Sequence, residues 1–326
     1  MFLLMVVMGC NSGGRDPEKV FLSEMVNLGK GFLDVFVSFG DMITGTLGIK
    51  ADTKKSDIGK YFTDIEKTMI SVKEKLQAEV AKNGNYGRLK EVVEQFIIGT
   101  LDKISRGAKE ASKGAIGSET LGNAVKNEDA APAEVSSVNA LVEGIKTIVD
   151  VVLKDNGRAD ANVTGEEDKK DIGKLFSKAG DNGTEAEAAK ANASIEAVSG
   201  ADILQAIASS AIAEAGKDID QAKDAAEIAT AKNSGNTKET KKKDAVIAGG
   251  IALRAMAKNG KLAAKNEDKA TFAINGAAAS AVGKTLSTLI IAIRNTVDSG
   301  LKKINEILAT IKQEDKVAEA ASGQQS

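Results

Sequence analysis

Two long stretches of this chain repeat large apolar residues every three to four positions, and this pattern most limits what the chain can fold into. One stretch covers residues 20–47 and the other covers 272–311. Such a stripe lies along one face of an α-helix, because about 3.6 residues complete a helical turn. Shorter stretches with the same spacing lie at 58–80, 86–111 and 133–153. The stripes therefore predict long helices that bury one face against each other.

The composition also favours helices over sheets. The chain has two prolines, no tryptophan and 3% aromatic residues, whereas sheet cores usually contain many aromatic and β-branched side chains. Its 32 glycines are expected in loops or at close helix contacts, since glycine inside a helix costs about 1 kcal/mol relative to alanine. We predict an all-α fold, an elongated helical bundle in which the long first and last helices pack together.

The first fourteen residues carry the clearest functional signal. An apolar run at 2–8 is followed by Gly9 and Cys10, the single cysteine of the chain. This arrangement resembles a bacterial lipobox, in which a diacylglyceryl group is attached to the thiol and cleavage frees the cysteine amine for acylation. We predict a signal peptide at 1–9, lipidation at Cys10 and a lipidated tether at 10–16. Acyl chains such as palmitate would hold a water-soluble domain on a bilayer, with the first and last helices near the anchor.

The region before the apolar run is unusual for an export signal. No lysine or arginine precedes Arg15, although such signals normally begin with a basic region. We therefore expect the natural signal to begin upstream of Met1. The alternative is a cytosolic protein with a frayed apolar end and an unreactive thiol. It is disfavoured because an apolar run facing water promotes aggregation.

The remaining chain is expected to form one domain. We predict a single helical ectodomain at 17–312 and a flexible polar tail at 313–326. No later apolar run approaches the roughly 20 residues of a membrane span, so we expect none. The net charge of −2 provides no global attraction to nucleic acid or to an anionic membrane.

Polar segments interrupt the apolar stripes. Residues 114–132 are rich in glycine and alanine and predict a loop or a broken helix, and 231–244 predict a charged loop. Residues 154–194 contain few large apolar side chains, so we expect them on the surface, where substitutions are tolerated. The alanine-rich residues 195–230 predict shorter helices. In contrast, 245–262 consist mainly of small and apolar residues and predict a buried helix.

Residues suited to catalysis or to ligand binding are scarce. The chain has no histidine, and its one thiol is assigned to the anchor. Gly283-Lys284-Thr285 resembles the end of a phosphate-binding loop, but Ala278 stands where that motif requires glycine. Glu166-Glu167-Asp168 could attract a divalent cation, although adjacent loop carboxylates are usually solvated. We therefore predict no catalytic residue, no cofactor and no metal site.

One basic cluster leaves a second function open. Lys241-Lys242-Lys243 could bind an anionic host glycan or a host cell surface, as in an adhesin. The cluster is flanked by Glu239 and Asp244, so the simpler interpretation is a solvated loop.

Four short segments resemble those of a known family. They are Cys-Asn-Ser-Gly-Gly at 10–14, Lys-Lys-Ser-Asp-Ile-Gly-Lys-Tyr-Phe at 54–62, Asp-Lys-Lys-Asp-Ile-Gly-Lys-Leu-Phe at 168–176, and Ile-Ala-Leu-Arg-Ala-Met-Ala-Lys-Asn-Gly-Lys-Leu-Ala at 251–263. The last resembles the invariant block of the variable large proteins of relapsing fever Borrelia, which are related to the Lyme spirochaete's variable surface lipoprotein. The resemblance covers the whole chain.

The resemblance implies a surface-exposed lipoprotein of the outer membrane, almost entirely helical, with both terminal helices near the membrane and variable loops at the distal end. Members of the family are expressed one at a time, and switching among silent copies replaces the coat that host antibodies recognise. We therefore expect antigenic variation and antibody evasion, through display of loops and shielding of the invariant block. The implied partners are the outer membrane and host antibodies. Self-association stays open, and no enzymatic activity is expected.

Overall fold

The structure is a computed structural model that describes residues 30–31, 33–35, 48–82, 87–179, 182–232 and 242–322, with the backbone alone at 311–322. Within these residues the chain forms helices and a few isolated β-bridges, and no strand. The all-α prediction is confirmed. The helices are α1 (Lys55–Lys82), α2 (Gly87–Phe96), α3 (Asp102–Gly114), α4 (Val135–Val152), α5 (Glu166–Lys170), α6 (Glu185–Ala197), α7 (Gly200–Ala208), α8 (Ala225–Thr230), α9 (Asp244–Met256) and α10 (Asp268–Ser322).

The three shorter apolar stripes, at 58–80, 86–111 and 133–153, correspond to the buried faces of α1 to α4. A π-helical turn at Ile97–Leu101 joins α2 to α3, so the predicted helix at 86–111 is one continuous helical segment with a local change of winding. The face of α1 that the spacing predicts is buried, and it comprises Ile58, Phe62, Ile65, Met69, Val72 and Leu76. The loop predicted at 114–132 is present between α3 and α4.

Glycines allow α3 and α4 to approach closely. A Cβ atom on Gly144 of α4 would lie 2.3 Å from the backbone nitrogen of Ala111 and 2.4 Å from the carbonyl oxygen of Gly107, both in α3. These distances are far below van der Waals contact, so the two backbones meet at this point. The expectation that some glycines mark helix contacts is confirmed here.

The helix predicted at 20–47 lies mostly outside the described residues. The described parts, 30–31 and 33–35, are helical; Val35 is buried, and Gly31 lies against the side chain of Glu79 in α1. The predicted packing of the first helix against the last also lies outside the described residues.

The last helix, α10, is longer than its apolar stripe. It begins at Asp268, and its backbone is helical through Ser322, into the segment expected to be a flexible tail. By length and composition alone, Asp268–Thr310 is apolar enough to span a membrane, although no later span was expected from the sequence. In the fold, 56% of its most apolar stretch is buried, against α6, α7 and α9 among others. The helix is therefore packed as a core element.

Residues 154–194 are only partly a surface segment, which corrects the prediction. The side chains at 166–168 are exposed, but Ile172, Leu175 and Phe176 are buried in a 3₁₀ helix at Asp171–Phe176. Helix α6 then buries alanines such as Ala188. The prediction weighed the polarity of the whole segment, whereas three large apolar side chains and closely packed alanines are enough to bury its second half.

Candidate functional site: the buried helix and the segments around it

The sequence-predicted lipidation site cannot be placed in the fold. Cys10, the signal peptide at 1–9 and the tether at 10–16 all lie outside the described residues. Lipidation at Cys10 stays a prediction.

Helix α9 lies at the centre of the second half of the fold. It packs against α6, α7, α8 and α10, and every residue from Asp244 to Ala257 is buried except the half-buried Val246. Gly250 makes this possible on the α8 side, since a Cβ there would lie 2.3 Å from the side chain of Ile228. The predicted buried helix at 245–262 is confirmed, although α9 ends at Met256 and a buried turn follows it.

The ammonium group of Lys55 holds the turn that follows α9. Its Nζ donates to the carbonyl oxygens of Ala257 at 2.6 Å, Gly260 at 2.8 Å and Arg254 at 3.3 Å. The side chain is fully buried, and burial lowers the pKa of Lys55 to about 7. The carbonyls near a helix C-terminus lack partners within the helix, and here a cation from α1 supplies one.

Arg254, in the last turn of α9, joins α9 to the end of α8. Its Nη1 donates to the carbonyl oxygens of Ile228, Ala229 and Ala231, and its Nε donates to that of Lys261 at 3.0 Å. The guanidinium lies 5.0 Å from the ring centre of Phe176. Burial lowers the pKa of Arg254 to about 9.

The two cations and the carbonyls around them form one structural cluster, which we call the cation cluster (Lys55, Arg254 and the carbonyls that they bind). Both cations bind backbone carbonyl oxygens, and neither forms an ion pair with a carboxylate of the described residues. The cluster holds α1, the end of α8 and the turn at 257–261 together. The cluster was not predicted from the sequence, whose one signal for it is an arginine inside a mainly apolar helix.

An exposed segment is attached to the other end of α9. Asp244 accepts hydrogen bonds from the backbone N–H groups of Val163 at 2.6 Å and Thr164 at 2.8 Å, and from the Thr164 hydroxyl at 2.5 Å. Burial would raise the pKa of Asp244, but these hydrogen bonds lower it below the usual value. The Val163 side chain is 71% exposed. The segment around it therefore faces outward while its backbone is attached to the core.

The acidic residues considered for a metal site are on the surface. Glu166, Glu167 and Asp168 are exposed in α5, where Glu167 pairs with Lys170 at 3.4 Å. Within the part of the chain that the structure describes, no group of three or more acidic or cysteine side chains is arranged to hold a metal ion.

The lysines considered for phosphate or glycan binding lie in other settings. Lys284 is inside α10 and donates to the carbonyl oxygens of Ile195 at 2.9 Å and Glu196 at 3.3 Å, near the end of α6. In the basic cluster, Lys241 lies outside the described residues, Lys242 is half-buried and Lys243 is exposed at the start of α9.

Comparison with known proteins identifies the family. Residues 32–308 match the family model described as Borrelia lipoprotein. The chain belongs to this lipoprotein family. The lipoprotein is 63% identical to variable large protein 4 of Borrelia hermsii, covering 99% of this chain and 95% of that protein. It is 44% identical to variable large protein 19 of the same species, covering 94% and 91%.

A solved structure confirms the architecture. The fold of the lipoprotein matches the crystal structure of the Lyme disease variable surface antigen VlsE of Borrelia burgdorferi with a TM-score of 0.77 and 36% identity. The match covers 88% of this chain and 98% of that one. The resemblance inferred from the four sequence segments is thereby confirmed. The relative of known structure is a variable surface antigen by name, and membership of a lipoprotein family indicates membrane anchoring.

Proposed function

We propose that this lipoprotein is displayed on the outer surface of the cell, attached to the outer membrane by lipids at Cys10, and acts in antigenic variation. Host antibodies are the partners of its exposed segments, and it evades them by exchanging those segments and shielding the block at 251–263. Its role is display, not catalysis. The names of its relatives and the lipobox-like start of the chain support this proposal.

The observation that carries the proposal is the contrast between α9 and the segment attached to it. Helix α9 is buried almost completely. Residues 165–168, which follow the two residues whose backbone is hydrogen-bonded to Asp244, are exposed. Substitutions at such exposed positions change stability little, because they remove no packing contacts. Antibody contacts can therefore change while the buried helix and its cation cluster remain the same.

Anchoring and exposure are tested together on intact cells. Wild type, Cys10→Ala and the control Ser12→Ala are labelled with a palmitate analogue and then treated with an external protease. We expect wild type and Ser12→Ala to be labelled and cleaved, and Cys10→Ala to lose both properties. An unlabelled wild type that stays protected inside the cell would overturn the proposal.

Shielding is tested with antibodies raised against two peptides, residues 251–263 and residues 158–168. We expect the second antibody to bind intact cells and the first to bind only denatured protein, because the buried peptide has few exposed side chains in the fold. Equal binding of both antibodies to intact cells would contradict shielding without affecting the anchor.

A further inference from the structure

The described residues contain four Asn-Gly pairs, at 156–157, 182–183, 259–260 and 275–276. The pairs differ in the hydrogen bonds that hold the asparagine side chain and the backbone N–H of the glycine. In an Asn-Gly pair, the backbone nitrogen of the glycine can attack the side-chain carbonyl carbon of the asparagine when two conditions are met. The asparagine side chain must be free to turn toward the next backbone nitrogen, and that nitrogen must be free to lose its proton. Hydrogen bonds to either group oppose the reaction, because they are lost when the atoms rearrange.

Two of the pairs are held through the asparagine side chain. Asn182 is buried, and its Nδ2 donates to the carbonyl oxygen of Lys178 at 2.9 Å. Asn275 lies inside α10, where its amide donates to the carbonyl oxygen of Ala124 at 3.0 Å and accepts from the backbone N–H of the same residue at 2.9 Å. Neither amide carbon is free to approach the following nitrogen.

The third pair is held through its backbone. Asn259 is exposed, but the N–H of Gly260 donates to the carbonyl oxygen of Ala257 at 3.3 Å, and the carbonyl oxygen of Gly260 accepts from Lys55 at 2.8 Å. Close packing does not distinguish this pair from Asn156-Gly157, since a Cβ on Gly260 would lie 2.0 Å from the carbonyl oxygen of Arg254 and one on Gly157 would lie 2.6 Å from that of Ala201.

The fourth pair, Asn156-Gly157, meets both conditions. The Asn156 side chain is exposed, and among the described residues neither its amide group nor the N–H of Gly157 makes a hydrogen bond. The backbone of Asn156 itself is hydrogen-bonded: its N–H donates to the carbonyl oxygen of Leu153 at 2.9 Å, and its carbonyl oxygen accepts from Nε2 of Gln205 at 3.1 Å. Gly157 has a φ of +95°, a conformation that other residues rarely adopt.

We infer that Asn156 is a site of spontaneous deamidation. The deprotonated backbone nitrogen of Gly157 attacks the side-chain carbonyl carbon of Asn156, a carbon–nitrogen bond forms, and the side-chain nitrogen leaves as ammonia. Water then opens the resulting five-membered imide at either carbonyl. The product is aspartate or isoaspartate, and the net change is amide plus water to carboxylic acid plus ammonia.

The modification adds a negative charge to a segment that already contains Asp155 and Asp160, and the isoaspartate product also lengthens the backbone by one carbon. One gene product would then present more than one form of this exposed segment. This last consequence for antibody recognition depends on the proposed surface display, whereas the chemistry does not.

The test is peptide mapping of the purified, folded protein after incubation at 37 °C and mildly alkaline pH. The readouts are the mass change of amide to acid and the labelling of isoaspartate by an isoaspartyl methyltransferase. We expect conversion at Asn156 to be about tenfold faster than at the other three pairs, a factor equivalent to about 1.4 kcal/mol. We also expect conversion to slow at acidic pH, where the nitrogen is less often deprotonated.

Two variants assign the site. Asn156→Gln keeps an amide but requires a larger ring, so the conversion is expected to disappear, while the matched control Asn259→Gln leaves it unchanged. A free peptide spanning 152–160 shows that the conditions allow the reaction. An intact Asn156 under conditions that convert this peptide, or faster conversion at any of the other three pairs, would overturn the inference.

Discussion

The ammonium nitrogen of Lys55, at the start of α1, lies 2.8 Å from the carbonyl oxygen of Gly260, a residue 205 positions later in the chain. This contact joins α1 to the turn that follows the buried helix α9. Because the lysine binds three carbonyl oxygens at once, it is the main buried donor to a turn that Arg254 also supports through the carbonyl oxygen of Lys261. The stability of the lipoprotein should therefore depend strongly on this one buried side chain.

Replacing Lys55 by methionine tests this dependence. Lys55→Met fills a similar volume but leaves buried carbonyls without a donor, and each unsatisfied group costs about 1–3 kcal/mol. We expect the free energy of unfolding to fall by about 2–4 kcal/mol in urea titrations. Lys54→Met is the control, since Lys54 is exposed, and it should change little. Equal effects of the two substitutions would contradict the role of Lys55.

The low pKa of Lys55 predicts that the protein becomes more stable as pH rises above neutrality. Burial lowers the pKa from 10.5 to about 7, so between these values the unfolded state binds a proton that the folded state does not. The free energy of unfolding should then increase by at most about 1.4 kcal/mol per pH unit. Titrations between pH 7 and 9 test this, and the increase should be absent in Lys55→Met. A wild type whose stability falls over this range would contradict the prediction.

The helices were predictable from sequence because their apolar spacing is a local property. The stripes at 58–80 and 133–153 and the small-residue run at 245–262 each correspond to a helix in the structure. The roles of Lys55 and Arg254 were not predictable, since both depend on carbonyl groups that come close only after folding. Helix α6 was partly predictable, because Thr184 and Glu187 have the spacing of a capping box and form one at its N-terminus.

The attachment of the exposed segment to α9 predicts a local effect of Asp244. In Asp244→Ala the N–H groups of Val163 and Thr164 lose their acceptor, and we expect hydrogen exchange at these two amides to become at least about tenfold faster, equivalent to about 1.4 kcal/mol. Asp160→Ala, at an exposed position in the same segment, is the matched control. Unchanged exchange in Asp244→Ala would show that the segment is held by other contacts.

Alanine substitutions are expected to have opposite effects at a glycine in the contact between α3 and α4 and at a glycine with open space around it in α10. A methyl group on residue 144 would lie 2.3 Å from the backbone nitrogen of Ala111, and only movement of a whole helix relieves the clash, so Gly144→Ala should destabilise the protein by about 2 kcal/mol or more. At Gly276 in α10, no atom lies within 4 Å of such a methyl group. Gly276→Ala should therefore stabilise the protein by about 0.5–1 kcal/mol, because alanine loses less backbone freedom on folding. Thermal unfolding of both variants measures the difference, and a stable Gly144→Ala variant would show that the two helices can separate at little cost.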